Sequence, residues 1–311
     1  MDFHQLKVFV EVARQKSFSR AAENVFLAQP TVSAHIKALE NEVGALLFDR
    51  SQRELQLTDA GKMLLRYAKE LLNIKEEALF ALEEERRTIS GHLEIASSSV
   101  PGAYILPELM KSFLEIHPGV TFAVMLRDTR RVYESVRGYH YDLGFVGEPV
   151  QPDGLGQIKL LQDELILIAA PGASLPGEEA LSPAGVLDLG KGKNAENFLK
   201  LPFVMREPGS ATRVVFEKAL EKYYGPRKSA LRVIAYLESQ EAIKEAVKSG
   251  MGVTVISRHA VQDELAAGLM KGCRLMGLHL KRSFYIIYHH NRVLSPLSRA
   301  FLDHCVGYFK A

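Results

Sequence analysis

Cysteine is almost missing from this chain. Its 311 residues contain two, Cys273 and Cys305, far apart and without the spacing of a metal site or a disulfide framework. So few thiols fit a reducing compartment, and both are expected to be packing residues. Long apolar runs are absent too, as is an opening basic stretch followed by an apolar segment and a small-residue cleavage site. No membrane segment or secretion signal is read, and a cytoplasmic protein is expected. Nor is there a strong net charge: 39 Lys and Arg face 37 Asp and Glu, for +2. That balance cannot by itself argue nucleic-acid binding, which must rest on where the charges lie.

Catalytic signatures are lacking as well. Gly190-Lys191-Gly192-Lys193 has neither the spacing nor the terminal hydroxyl of a phosphate-binding P-loop. Gly154-Leu155-Gly156 lacks the third glycine of a dinucleotide fingerprint. No Gly-x-Ser-x-Gly elbow surrounds Ser98 or Ser210. His289 and His290 are adjacent on a strand-like run, so they point to opposite faces and share a metal poorly. No catalytic residue, cofactor or metal site is expected, and the chain is not read as an enzyme.

What is present begins near the N-terminus. Phe18, Ala21, Ala22 and Val25 place one apolar face on a short helix; Val32, Ile36, Leu39 and Val43 place another on a second helix. Phe26 to Gln29 leaves room for only a tight turn, and Pro30 suits the first turn of a new helix, where its missing N–H costs nothing. An opening helix carries Leu6, Phe9, Val10 and Ala13 on one stripe. Three small helices with a tight turn before the last are the pattern of a helix-turn-helix DNA reader. The last helix turns Pro30, Thr31, Ala34, Lys37, Ala38 and Asn41 outward, with Ser33 and His35 on its flanks. Small residues permit close approach to a groove, and hydroxyls, Lys and His reach phosphates or base edges. A helical hairpin packed on a core would more often carry Glu/Lys pairs there.

Gly44 to Leu57 reads as a small hairpin wing holding Arg50 and Arg53. Thr58 is a plausible N-cap with Asp59 in the first turn, opening a helix to about Thr88. Leu65, Ala68, Leu72, Lys75, Leu79, Leu82, Arg86 and Ile89 follow a 3-4 spacing on it. A helix of that length reaches about 45 Å, more than a small bundle covers, so a seam with a second subunit is expected. From His92 strand-like and helix-like segments alternate, which indicates an α/β domain with largely parallel strands. The organisation is therefore 1–58, an all-α winged helix-turn-helix; 59–90, a linker and dimerisation helix; and 91–311, an α/β domain.

Polar residues cluster at strand-to-helix turns of that domain: Ser97–Ser99, Asp128-Thr129, Gly209–Arg213 and Glu238-Ser239. Ligands of open α/β sheets bind at the carboxyl ends of strands, where helix N-termini offer free N–H groups to anions. Each hydroxyl taken alone is better read as a helix cap, but the Ser97–Ser99 run and the cluster containing Ser210 exceed what capping needs. A pocket for a small polar or anionic molecule is expected. Arg206 and Arg213 could pair with a carboxylate or phosphate, or equally form surface salt bridges.

The stretches LKVFVEVARQKSFSRAAENV, AQPTVSAHIKALENEVGALLFDR and LTDAGKMLL resemble the LysR-type transcriptional regulators, specifically from Met1 to about Thr88 and more loosely beyond. The resemblance implies a winged helix-turn-helix with Gln29, Thr31, Ser33 and Lys37 in the groove and Arg50 and Arg53 in the wing. Ala34 stands where many members carry Arg. It also implies two α/β subdomains resembling periplasmic binding proteins, I at about 91–162 and 268–311, II at about 163–267. By the same likeness Ser98, Ser99, Val100, Thr129, Met205 and Thr212 line the effector pocket. Val100 and Pro101 stand where some sulfate-sensing relatives carry polar ligands, which speaks against a sulfate effector.

The leading expectation is a DNA-binding regulator whose α/β domain takes a small polar or anionic effector and repositions paired recognition helices on promoter DNA. Double-stranded DNA, the effector, and a homodimer assembling by resemblance into a homotetramer are its expected partners. An enzyme or solute-binding protein with an incidental helix-turn-helix is the alternative from another class, and a constitutive architectural DNA binder is a third.

Overall fold

The computed structural model describes the chain apart from residues 50, 52–53, 83–88, 150–153, 177–184, 188–192, 226–230, 291 and 310–311, and the side chains of 193 and 194. Three helices open it: α1 (Phe3–Gln15), α2 (Phe18–Asn24) and α3 (Gln29–Val43). Asp2 caps α1 by accepting the Gln5 N–H, while the Gln5 side chain accepts the Asp2 N–H in return. Ser17 caps α2. Ahead of α3, Ala28 offers no capping side chain, and Pro30 in the first turn removes one of the N–H groups that would want a partner. Val32, Ile36 and Leu39 are wholly buried against Leu6, Phe9, Val12 and Ala21. Val43, expected on that face, is 43% exposed. Past Leu39 the inward position belongs to Glu40, whose carboxylate accepts the Leu47 N–H at 2.9 Å. That bond pins the loop that leaves α3 after Gly44, whose φ of 71° ends the helix.

A two-residue wing pair follows, β1 (Phe48–Asp49) antiparallel to β2 (Gln56–Leu57). Arg50 and Arg53 lie outside the described residues. Thr58 then fixes the start of α4 (Asp59–Leu82): its hydroxyl donates to the Leu46 carbonyl at 2.6 Å and accepts the Gly61 N–H at 3.0 Å. Leu65 and Ala68 are buried, and Leu72 half-buried, in the core of the N-terminal bundle. These three head the expected intersubunit seam, yet they serve their own bundle. Leu79 and Leu82, further along the expected seam, are exposed, and so is a second stripe of α4 formed by Met63, Tyr67, Leu71 and Ile74. The same helix reaches the α/β region. Lys69 Nζ donates to the His140 carbonyl at 3.1 Å and Asn73 Nδ2 to that of Val293 at 2.8 Å.

The α/β region has two lobes with separate cores. In the first, β3 (Gly91–Ser97) lies parallel to β4 (Val120–Leu126) and to β5 (Leu143–Val146). Helices α5 (Leu106–Ile116), α6 (Thr129–Arg137) and α11 (Pro296–Tyr308) cover the sheet. Phe113, Phe145 and Phe301 centre one of its clusters. Gly144 of β5 is held in place by close neighbours: a Cβ there would meet Ile287 and Val136 at 2.8 Å.

The strand β6 (Leu155–Ala169) begins in this lobe and ends in the other. Its last residues pair antiparallel with β10 (Thr254–Ser257) and β11 (Lys271–Leu275), and β11 pairs in parallel with β7 (Val186–Leu187). Strands β8 (Phe203–Arg206) and β9 (Val233–Leu237) form a parallel pair, and α7 (Lys193–Leu199), α8 (Ala211–Tyr224), α9 (Gln240–Lys248) and α10 (Gln262–Ala266) complete the lobe. Cys273, Leu275, Leu278 and Leu280 belong to its core. The return to the first lobe therefore falls where β12 (Lys281–His289) starts, at the far end of the 265–280 stretch in which the family resemblance puts the crossing, so the residues from about 268 to 280 pack with the second lobe rather than the first. Residues 271–280 are held on the second side by hydrogen bonds to β6 and by burial of their apolar side chains. Both cysteines are buried. Among the described residues no helix is long and apolar enough to cross a membrane.

Gly61 gives a test of how the bundle is closed. A Cβ there would lie 2.1 Å from the backbone oxygen of Leu47, so backbone must move to admit it. Gly61→Ala is expected to destabilise the N-terminal bundle by about 1–3 kcal/mol, read as a lower denaturant midpoint, even though alanine favours helix. An unchanged midpoint would mean that the wing and α4 are not joined this tightly.

Candidate functional site

Five turns meet between the two lobes because parallel strands deliver their carboxyl ends to one edge. They follow β3, β4, β5, β8 and β9, and four of them lead directly into helices. Together they enclose a cleft of about 840 Å³. Ser98, Ser99, Val100 and Thr129 line it from the first lobe, and Ser210 and Thr212 from the second. Met205, the remaining residue expected there, does not reach it. It packs in the second lobe's core, 3% exposed, on a strand buried on both faces.

The turns differ in how their polar groups are used. Asp128 and Ser239 act as helix caps, accepting the N–H of Arg131 and Ala242. Ser210 stands at the N-cap of α8 but makes no capping bond with its side chain, so its hydroxyl remains available to the cleft. Ser99 joins the lobes: its hydroxyl oxygen accepts from Arg206 Nη1 at 3.2 Å and from Gln240 Nε2 at 3.3 Å. Arg206 is itself held by both carboxylate oxygens of Glu207, at 2.7 and 2.8 Å. A second tie crosses at the mouth, where Tyr104 donates to Glu241 at 2.7 Å. Burial and that bond push the Tyr104 phenol up to about 12. Glu241 is in turn paired with the buried Lys244 at 2.9 Å.

The floor is formed by a residue that sequence reasoning misses. Arg282, at the start of β12, has a side chain 4% exposed and lies 2.7 Å from Asp163, which is wholly buried. Its Nη1 donates to Thr212 Oγ1 at 3.1 Å, while its Nη2 has no partner among the described residues. Burial lowers the guanidinium from its ordinary value and the Asp163 carboxylate opposes that. Gln240 Oε1 is likewise buried without a donor among the described residues. Five arginines and four carboxylates line the cleft, so anion preference comes from which groups are left unpaired rather than from net charge. Among the described residues the lining holds no nucleophile bonded to a base, and no cluster of His, Cys, Asp and Glu is arranged to hold a metal.

The face of α3 is a separate surface. Gln29, Pro30, Thr31 and Lys37 are exposed there, as is Ala34, while Ser33 and His35 are half-buried. Gln29 Nε2 donates to Ser33 Oγ at 3.1 Å, which holds the two side chains together at the start of the helix. His35 turns toward α1 and meets His4 edge-on, ring centroids 5.1 Å apart. Phe26, not singled out in the sequence, stands in the turn before α3 with φ of 55° and is 94% exposed. An aromatic in a turn is the signal that could have found it. Such a side chain can lie against sugars or base methyls.

Comparison with known proteins agrees with both surfaces. The model of the bacterial regulatory helix-turn-helix protein, lysR family, matches residues 3–62, and that of the LysR substrate binding domain matches residues 86–310. A probable RuBisCO transcriptional regulator of Cyanophora paradoxa is 32% identical over 308 residues, covering 98% of this chain and 91% of that protein. Among solved structures, a full-length OxyR variant from Pseudomonas aeruginosa shares the fold with a TM-score of 0.75 at 20% identity, covering 100% of this chain and 98% of its own. The CcmR regulatory domain of Synechocystis PCC6803, in complex with 2-PG, matches with a TM-score of 0.59 at 24% identity, covering 71% of this chain and 98% of its own. With a DNA-reading bundle ahead of a two-lobed effector domain, and with both family models matched in that order, this chain belongs to the LysR family of transcriptional regulators.

Proposed function

We propose that the inter-lobe cleft binds a small phosphorylated or carboxylated organic acid that carries a hydroxyl, and that this ligand sets the spacing of two recognition helices on promoter DNA. The unpartnered Nη2 of Arg282 carries the reading. A buried guanidinium N–H without an acceptor is costly, and an anionic oxygen removes that cost while making a charge-assisted bond. The Gln240 oxygen needs a donor, which a ligand hydroxyl supplies. Ser98, Ser99, Thr129, Ser210 and Thr212 then surround the anion beside the N-termini of their helices. The 2-PG bound by the CcmR domain supports the anionic part of this reading. The cleft binds this ligand without converting it, and the protein acts in the cytoplasm.

In this reading the DNA-reading unit is 1–58, with Gln29, Pro30, Thr31, Ser33, His35 and Lys37 on α3 and Arg50 and Arg53 in the wing. The linker is 59–90, the effector domain 91–311. A homodimer forms through α4 by its uncovered stripe, Tyr67, Leu71 and Ile74, and dimers pair through the effector domains. A helix with that much exposed apolar surface gains by meeting a second copy of itself.

Ser99→Ala with Thr212→Val is expected to weaken a phosphorylated hydroxy acid at least tenfold, since each hydrogen bond to a charged group contributes about 1.5–3 kcal/mol. Affinity for DNA without ligand should stay unchanged. Calorimetry on the full chain reads the first and a gel shift the second; equal ligand affinity would remove these hydroxyls from the site.

Leu71→Asp with Ile74→Asp should convert dimers to monomers in light scattering, because two unpaired charges would be buried in the seam. An unchanged mass would place the interface elsewhere.

For DNA, Thr31→Ala and Ser33→Ala are expected to change the preferred sequence in a binding-site selection, as base-reading residues do. The same selected motif for both variants would mean that α3 does not read bases at these positions.

A further inference from the structure

A second cavity, of about 550 Å³, opens where three parts of the chain meet: α1 with the wing, the first turns of α4, and the loop after α6. Among the described residues it shares no lining residue with the effector cleft. The half-buried Leu55 and Leu57 and the exposed Met63 give it an apolar wall, and Lys16, Arg66 and Arg137 give it a basic rim. Among the described residues no carboxylate lines it. The neighbouring Glu11 and Glu94 are both engaged by Arg14, at 2.8 and 2.9 Å.

Two further observations mark the place. Lys16 and Tyr139, on opposite sides of the junction, hold φ of 49° and 61°, and only one other described non-glycine residue has a positive φ. Both stand where a helix ends, Lys16 as the C-cap of α1 and Tyr139 next after Gly138, the C-cap of α6, so the two helix ends frame the junction. The Tyr139 ring is fixed by stacking on His289, centroids 4.4 Å apart. The local field is also positive: burial, then the cations of Lys69 and Lys16, lower the His140 imidazole from its ordinary value.

We propose that this junction is a second ligand site, which takes an amphipathic organic acid with its apolar body on Leu55, Leu57 and Met63 and its anionic head among Lys16, Arg66 and Arg137. A wholly polar anion would leave the apolar wall without a partner, and a neutral apolar molecule would desolvate the cations with nothing in return. The volume is that of an ordinary small-molecule site, roughly 300–1,000 Å³. A ligand here touches the wing and the first lobe together. It stiffens the join between DNA reader and effector domain, and supplies an input separate from the cleft.

Octanoate is a suitable probe, with octanol and acetate as partners lacking the charge or the apolar body. Calorimetry on the full chain is expected to show saturable binding of octanoate at a single class of site and none for the other two. Lys16→Gly with Arg137→Gln should weaken it about tenfold for each charge removed. Glycine is at ease at the Lys16 backbone angle, so this variant keeps the fold. The Ser99→Ala, Thr212→Val variant of the cleft should bind octanoate as the unaltered chain does. Octanol binding as tightly as octanoate would overturn the proposal. So would an affinity unmoved by Lys16→Gly with Arg137→Gln, loss of binding in the cleft variant, or no saturable binding at millimolar octanoate.

Discussion

The ion pair between Asp163 and Arg282 sits at the point through which everything else in the effector domain must act. The two residues are cross-strand neighbours on β6 and β12, the strands that pass from one lobe to the other. Asp163 is wholly buried and also accepts from Ser257 Oγ at 2.7 Å. Arg282 spends one nitrogen on Thr212 at the start of α8 and leaves another unpartnered among the described residues. A buried pair of this kind contributes little net stability, but removal of one member typically costs about 3–5 kcal/mol because the other charge is stranded. The pair therefore fixes the register of the crossing strands and aims a cation at the cleft floor with the same bonds. Stability of the hinge and affinity of the site are not separable here.

The cleft is held by few contacts between lobes. Ser99 meets Arg206 and Gln240, and Tyr104 meets Glu241. The Gln240 bond is worth about 1 kcal/mol net and the two that involve the Arg206 and Glu241 charges about 1.5–3 kcal/mol each, so the separation of the lobes costs a few kcal/mol at this edge. A ligand changes that balance only through bonds it makes in one arrangement and not in another. Arg282 Nη2 and Gln240 Oε1 supply such a difference. They are unsatisfied with the lobes as they stand, and a ligand that reaches both draws the closed arrangement down in free energy.

The N-terminal bundle is legible from periodicity because its helices are amphipathic and short, and Val32, Ile36 and Leu39 fall where the 3.6-residue repeat puts them. Val43 does not, since a buried Glu40 bound to Leu47 replaces it. Local pattern carries no information about a carboxylate that a backbone N–H will make comfortable. The serine-rich turns can be found for the same reason as the helices: strand ends and caps are local features. Met205 is misplaced because the family likeness carries it over by position alone, whereas here β8 is buried on both faces and packs that residue in the second lobe's core. Arg282 is missed because Lys281-Arg282 reads as the solvated start of a strand. Its burial is set by Asp163, 119 positions away. The strand β11 escapes notice because Lys271 and Arg274 break its apolar alternation, and with it goes the second crossing point.

The hydrogen bonds that join the DNA-reading bundle and α4 to the effector domain all end, among the described residues, on the first lobe, at Glu94, His140 and Val293. On the proposed reading of a dimer with a ligand in each cleft, the ligand alters the second lobe's position relative to the first, so its effect can reach α3 by two routes. One is a change of shape within the first lobe, through α6, whose first residue Thr129 lines the cleft while His140, just beyond its other end, accepts from Lys69. The other is a change in how second lobes pack between subunits. The first route is short: α6 is nine residues long, about 13 Å at 1.5 Å per residue. A rigid helix of that length with one end in the cleft and the other against α4 transmits a rotation without deforming. Among the described elements, α6 and β3, which carries Glu94 and runs into Ser98, both reach from the cleft to the bundle or α4 within a single chain.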